Sequence, residues 1–154
     1  MQVSVQTVAA RRTQKAADDL TAAANATQAD RLDWKPLDCG RTVLDQLAEC
    51  AMANLKWANI LRARTYTRLP AEEAESFAEL TTREQVNGKL RETTAALVAA
   101  ILAVSDDQLG AEIETPWGPY DLADCCLHAY WNMVYHEGQI NYIQTLYGDF
   151  EEHY

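Results

Sequence analysis

Residues 131–140 read Trp131-Asn132-Met133-Val134-Tyr135-His136-Glu137-Gly138-Gln139-Ile140, and the interpretation of this stretch decides the fold. It lies inside a proline-free segment from about Asp121 to Tyr147, with Gly148 as a natural helix stop. Wound as a helix at about 100° per residue, the segment places Cys125, His128, Asn132, His136, Gln139, Ile143 and Leu146 in a sector about 80° wide. Tyr135 and Tyr142 border that sector. Ile143 and Leu146 belong in a core, so the spacing predicts that His128, Asn132, His136 and Gln139 face the interior with them. Glu137 is expected on the opposite side, in solvent, and Gly138 is expected to let a neighbouring helix come close.

Three more helical stretches precede this one. The first runs from about Ser4 to Thr27, with Ser4 as its cap and a small, Ala-rich face of Val5, Ala9, Ala16, Leu20 and Ala23. Trp34, Pro36 and Gly40 break the chain before a second helix from about Thr42 to Thr67. Its apolar side is Val43, Leu44, Leu47, Ala51, Leu55, Ala58 and Leu61. The third starts at Thr81-Thr82-Arg83-Glu84, read as a capping box of Thr81 with Glu84, and ends near Ser105-Asp106-Asp107. Thr115-Pro116-Trp117-Gly118-Pro119 interrupts any helix before the last. No stretch alternates with a period of two for long enough to predict a sheet, and fragments such as Ile113-Glu114-Thr115 are too short. The expected fold is an all-α four-helix bundle, with residues 1–154 forming a single domain.

Charge narrows the partners. The chain carries 23 acidic and 13 basic residues for a net −10, so phosphate backbones and anionic lipid surfaces repel it. Neither nucleic acid nor membrane is an expected partner, and no apolar run is long enough to span a bilayer. The start, Met-Gln-Val-Ser-Val-Gln, has no signal-peptide pattern. Cys39, Cys50, Cys125 and Cys126 form no C-x-x-C pair and no disulfide framework. Together these features lead to an expected cytoplasmic location with reduced thiols.

Buried polar groups are costly without partners, and four in one row require a reason. One is a hydrogen-bond network that fixes helix register. The other is a site in the bundle core. Four-residue spacing stacks His128 on Asn132 and Asn132 on His136, but His128 and His136 lie about 12 Å apart along the axis, too far to share one ion. A metal read from this helix alone therefore uses His136 with Asn132, or His136 with a donor from another helix.

At these residues the sequence resembles the DinB-like (DinB/YfiT) superfamily of bacterial four-helix bundles, whose last helix reads His-x-x-x-His-x-Gly-Gln-Ile. Here His136, Gly138, Gln139 and Ile140 match, and Asn132 stands at the first histidine. Trp34-Lys35-Pro36, the Thr42-to-Cys50 segment and Thr115-Pro116-Trp117-Gly118 match in the same order. The resemblance implies a divalent metal (Zn, Ni, Mn or Fe) held by one residue of the second helix and two of the fourth. Ungapped matching from Thr42 puts Glu49 at the second-helix position, and a shift of one puts Cys50 there. The implied ligand set is Glu49, Asn132 and His136. It also implies use of a low-molecular-weight thiol, and homodimers.

Three functions fit this reading. A metal-dependent enzyme of thiol-transferase or hydrolase type uses that set as an open site. A metal-free module uses the polar row, framed by Trp34, Trp117, Trp131 and tyrosines, to orient a small molecule. A structural dimer uses neither. Glu49 and His136 also suit an acid–base pair, and Cys50 is expected to be an inert packing thiol.

Overall fold

The computed structural model describes residues 3–153. Four long helices form the bundle: α1 (Val5–Ala26), α2 (Val43–Ala63), α4 (Arg83–Leu102) and α5 (Leu122–Leu146). A short helix, α3 (Ala71–Ala78), follows α2, and a hairpin of β1 (Glu112–Thr115) and β2 (Gly118–Asp121) precedes α5.

Each long helix starts where a side chain caps its free amides. Ser4 Oγ accepts from the Thr7 N–H at 3.2 Å, and Asp121 Oδ1 accepts from the Asp124 N–H at 2.7 Å. Thr42 and Asp45 cap α2 reciprocally, at 2.9 and 3.0 Å. The α4 box is one residue later than expected. Thr82 Oγ1 accepts from the Gln85 N–H, while Gln85 Oε1 accepts from the Thr82 and Thr81 N–H groups. This frame satisfies both threonine amides, which explains why it displaces the Thr81–Glu84 frame. Thr82→Ala is accordingly expected to lower stability by about 1 kcal/mol in urea unfolding, and Thr81→Ala by much less.

Three features depart from the sequence reading. The second helix stops at Ala63, because Arg64 turns left-handed (φ 55°) and its N–H closes onto the Ile60 carbonyl. The α3 segment buries only Phe77, and eight residues are too few to show a helical period. The hairpin forms where no sheet was expected. Ile113 pairs with Tyr120, and Thr115 with Gly118, across a two-residue turn at Pro116-Trp117. Gly118 has φ 111°, a conformation a side chain would strain, and Thr115 Oγ1 donates to its carbonyl at 2.7 Å.

In the bundle, α1 packs on α4 and α5, and α2 packs on the same two, while α1 and α2 barely touch. The α1–α2 and α4–α5 connections therefore each run between diagonal corners. The small alanine face of α1 lies against its neighbours as expected, with Ala9, Ala16, Ala17, Ala23 and Ala24 buried. One end of the core holds Trp57, Leu61, Leu97, Ile101 and Leu122. The other holds Leu20, Leu47, Leu90, Met133 and Ile140. Between them in sequence on α2, fully buried Asn54 donates to Thr94 Oγ1 at 2.9 Å and to Met133 Sδ at 3.4 Å. No helix among the described residues is long and apolar enough to cross a membrane.

Candidate functional site

The α2–α5 seam carries the polar residues. His136 is 2% exposed, with Nε2 3.3 Å from Glu49 Oε1 and Nδ1 3.2 Å from Gln46 Oε1. Glu49 and Gln46 lie three residues apart and so share one face of α2. The second carboxylate oxygen of Glu49 pairs with the guanidinium of Arg41, which sits just ahead of the Thr42 cap. Asn132 is half-buried one turn before His136, and its amide reaches Cys50 Sγ at 3.9 Å. Glu49, Asn132 and His136 thus line one cleft of about 360 Å³ together with Arg41, Trp131, Tyr135 and Gln139.

The stripe on α5 is rotated from the expected position. Of its members, Cys125, His136 and Ile143 are buried, His128, Asn132 and Gln139 are half-buried, and Leu146 is exposed. The core face is centred on Cys126, Ala129, Met133, Ile140 and Gln144, so the polar row borders the core and opens toward the cleft. That rotation explains two further differences. Glu137 is half-buried, where burial and the nearby Asp19 raise its carboxyl above the usual range. Gly138 is exposed, with nothing within 4 Å of where a Cβ would lie, so it admits no neighbouring helix. Cys50 is buried, and that burial pushes its thiol well up, away from the reactive thiolate.

His128 belongs elsewhere. Its ring lies 4.3 Å from Trp57 and 5.8 Å from Tyr120, centroid to centroid, in an adjoining cavity. Sequence reasoning missed Arg41 and Gln46. The spacing of Gln46 from Glu49 was a usable signal, whereas Arg41 lies outside the helix.

Burial, and then Arg41, hold the His136 imidazole below its usual value, and burial and Lys56 do the same at His128. Both rings are therefore neutral near pH 7. With Gln46 presenting its carbonyl oxygen, a neutral His136 donates from Nδ1, and the Nε2 lone pair faces the Glu49 carboxylate. Two acceptors opposed in this way are satisfied by a proton or a cation between them. The pH dependence follows in sign. The unfolded imidazoles take up protons below about pH 6.5, while the folded ones resist until lower pH. Stability is thus full above the unfolded value and is lost as pH falls through the folded values. Urea midpoints from about pH 8 to about pH 5 are expected to drop below about pH 6.5, and less so in His136→Gln.

The donor set also fits a divalent cation. Two ligands about 2.1 Å from one ion stand roughly 3.0–3.4 Å apart for right-angled to tetrahedral geometry. The 3.3 Å between Oε1 and Nε2 falls in that interval. The outer partners fit as well, since metal-binding imidazoles and carboxylates are held by carbonyls and cations through their other atoms, as Gln46 and Arg41 do here. The third donor, Asn132, supplies a weaker amide oxygen. Among the described residues no group of three His, Cys, Asp or Glu comes together.

The diagonal connections set this all-α bundle apart from one in which consecutive helices are neighbours. The sequence profile of the DinB superfamily matches residues 12–140, and the chain belongs to that superfamily. Among solved structures it resembles YfiT from Bacillus subtilis, described as a probable metal-dependent hydrolase with an unusual four-helix bundle topology. The TM-score is 0.77 at 16% identity, covering 96% of this chain and 91% of that one. It also resembles a DinB-like protein, YjoA, from Bacillus subtilis, with a TM-score of 0.69 at 15% identity over 92% and 93% of the two chains. No curated protein matches it significantly by sequence.

Proposed function

We propose that this protein is a metal-assisted enzyme acting on a small molecule, of hydrolase or thiol-transferase type, with Glu49 and His136 as the strong ligands and Asn132 as the third. The observation that carries the reading is the 3.3 Å approach of Nε2 and Oε1 in an open cleft, each group held from behind. The description of YfiT as a probable metal-dependent hydrolase supports it at the level of class. A bound zinc, nickel, manganese or iron ion would supply Lewis acidity toward a water or a low-molecular-weight thiol. The rest is done by the chain. Gln46 fixes the imidazole tautomer, and Arg41 orients the Glu49 carboxylate.

The test is elemental analysis of untagged protein. The expected result is a divalent metal in the wild type that is lost in His136→Ala and Glu49→Gln. A metal-free wild type in which His136→Ala lowers stability alone would overturn the proposal. That outcome favours a second reading, supported by the Arg41 guanidinium already on Glu49. In it, the Arg41–Glu49–His136 group orients a ligand without an ion. A homodimer belongs to the same proposal, and light scattering of the purified chain decides it.

A further inference from the structure

A second cavity, of about 420 Å³, adjoins the cleft and shares Glu49 and Asn132 with it. Five parts of the fold build its wall: Lys56 and Trp57 from α2, Tyr66 and Arg68 from the segment after it, Ala74 from α3, Trp117 from the hairpin turn and His128 from α5.

Lys56 is the unusual member. Its ammonium lies 4.9 Å from the Trp117 ring centroid, 5.3 Å from that of Tyr66 and 5.7 Å from that of Trp57. A surface lysine ordinarily keeps its head in water. This one is half-buried against three rings and makes no ion pair among the described residues, in a chain with 23 acidic side chains. Arg68, also on the wall, makes none either. Among the described residues the only carboxylate lining the cavity is Glu49, and Arg41 already meets its charge. Facing groups from the other elements add no negative charge, since none of them is a carboxylate. The cavity is therefore locally cationic in a molecule whose net charge is −10. Its wall is aromatic, with Trp57 packed against His128 at 4.3 Å and Tyr66 edge-on to Trp117 at 6.0 Å.

We propose that this cavity is the carboxylate-binding subsite for a small organic acid with a flat apolar body, whose other end reaches Glu49 and Asn132. Lys56 and Arg68 take the carboxylate, Trp117 and Tyr66 take the apolar body, and the shared wall sets the length. Lys56 lies two helical turns from Glu49, so the acid group and the reacting group stand on the order of 10 Å apart. The subsite rests on reading the neighbouring cleft as a small-molecule site, but it needs no metal to bind.

Calorimetric titration with hydrocinnamate and with its uncharged counterpart, hydrocinnamamide, tests it on the full chain. The acid is expected to bind the wild type at least about tenfold more tightly than the amide, the usual margin for a charge-assisted contact. That preference is expected to vanish in Lys56→Gln and to shrink in Arg68→Gln, with circular dichroism confirming the fold. Equal binding of acid and amide, no saturable binding at millimolar concentration, or an undiminished preference in Lys56→Gln would each overturn it. Should Lys56→Gln fail to fold, exposed Arg68 decides, and an unchanged preference in Arg68→Gln then counts against the subsite. Elemental analysis of the wild type beside this titration separates the two proposals. A chain that holds no metal yet prefers the acid ends the metal reading alone, and a chain that holds metal without that preference ends the subsite alone.

Discussion

Asn132→His is expected to tighten the binding of added zinc at the α2–α5 cleft. Position 132 lies one turn before His136, and side chains four apart on a helix stand about 6 Å apart at Cβ. The substitution therefore presents two imidazoles to one point, with Glu49 Oε1 already 3.3 Å from the second. Imidazole is a far better donor than an amide oxygen for zinc or nickel. Little is lost in exchange, because the Asn132 amide has only a 3.9 Å contact with Cys50 Sγ. Competition against a chromophoric chelator is expected to show zinc bound at least about tenfold more tightly, or about 1.4 kcal/mol. Adding Glu49→His should tighten it further. If neither variant improves on the wild type, Glu49 is the wrong second-helix position and Cys50 is the one to change.

The largest stability effect is expected from Trp57→Ala. Trp57 is 2% exposed and lies among Leu61, Leu97, Ile101 and Leu122 at one end of the core. Its ring also carries His128 at 4.3 Å and stacks on Tyr120 of the hairpin at 6.3 Å. Removing it leaves a cavity that rigid helices cannot close, at a cost of about 3–5 kcal/mol. That is a large share of the roughly 5–15 kcal/mol holding a typical domain together. Trp131 provides the control. It is 60% exposed, so Trp131→Ala should stay within about 0.5 kcal/mol in the same urea titration. Similar losses in both variants would mean that the core is not anchored at Trp57.

Four helices were legible because their start signals are local: Ser4, Thr42 and Asp121 each cap within three residues. The α4 box was ambiguous, since two Thr-x-x-Glu/Gln frames overlap and only the reach of Gln85 to two amides separates them. The hairpin escaped because its strands are four residues long and one contains a proline. A wheel fixes which residues share a face but not how that face is turned relative to its neighbours. Leu146 was thus placed inside and lies outside. Gln46 and His136 stand 90 residues apart, so periodicity along one helix could not join them. The Glu49–His136 pairing came into view through the family resemblance, and the Arg41 partner of Glu49 through neither route.

Because α4 and α5 occupy opposite corners, α5 cannot zip onto the helix made just before it. Its contacts are with α1 and α2 instead, both made well before it, and it reaches them only after the hairpin has crossed over. Until then, the surfaces that will bury Met133 and Ile140 stay wet and adhesive. The wiring thus concentrates the need for chaperone protection in the interval before α5 docks.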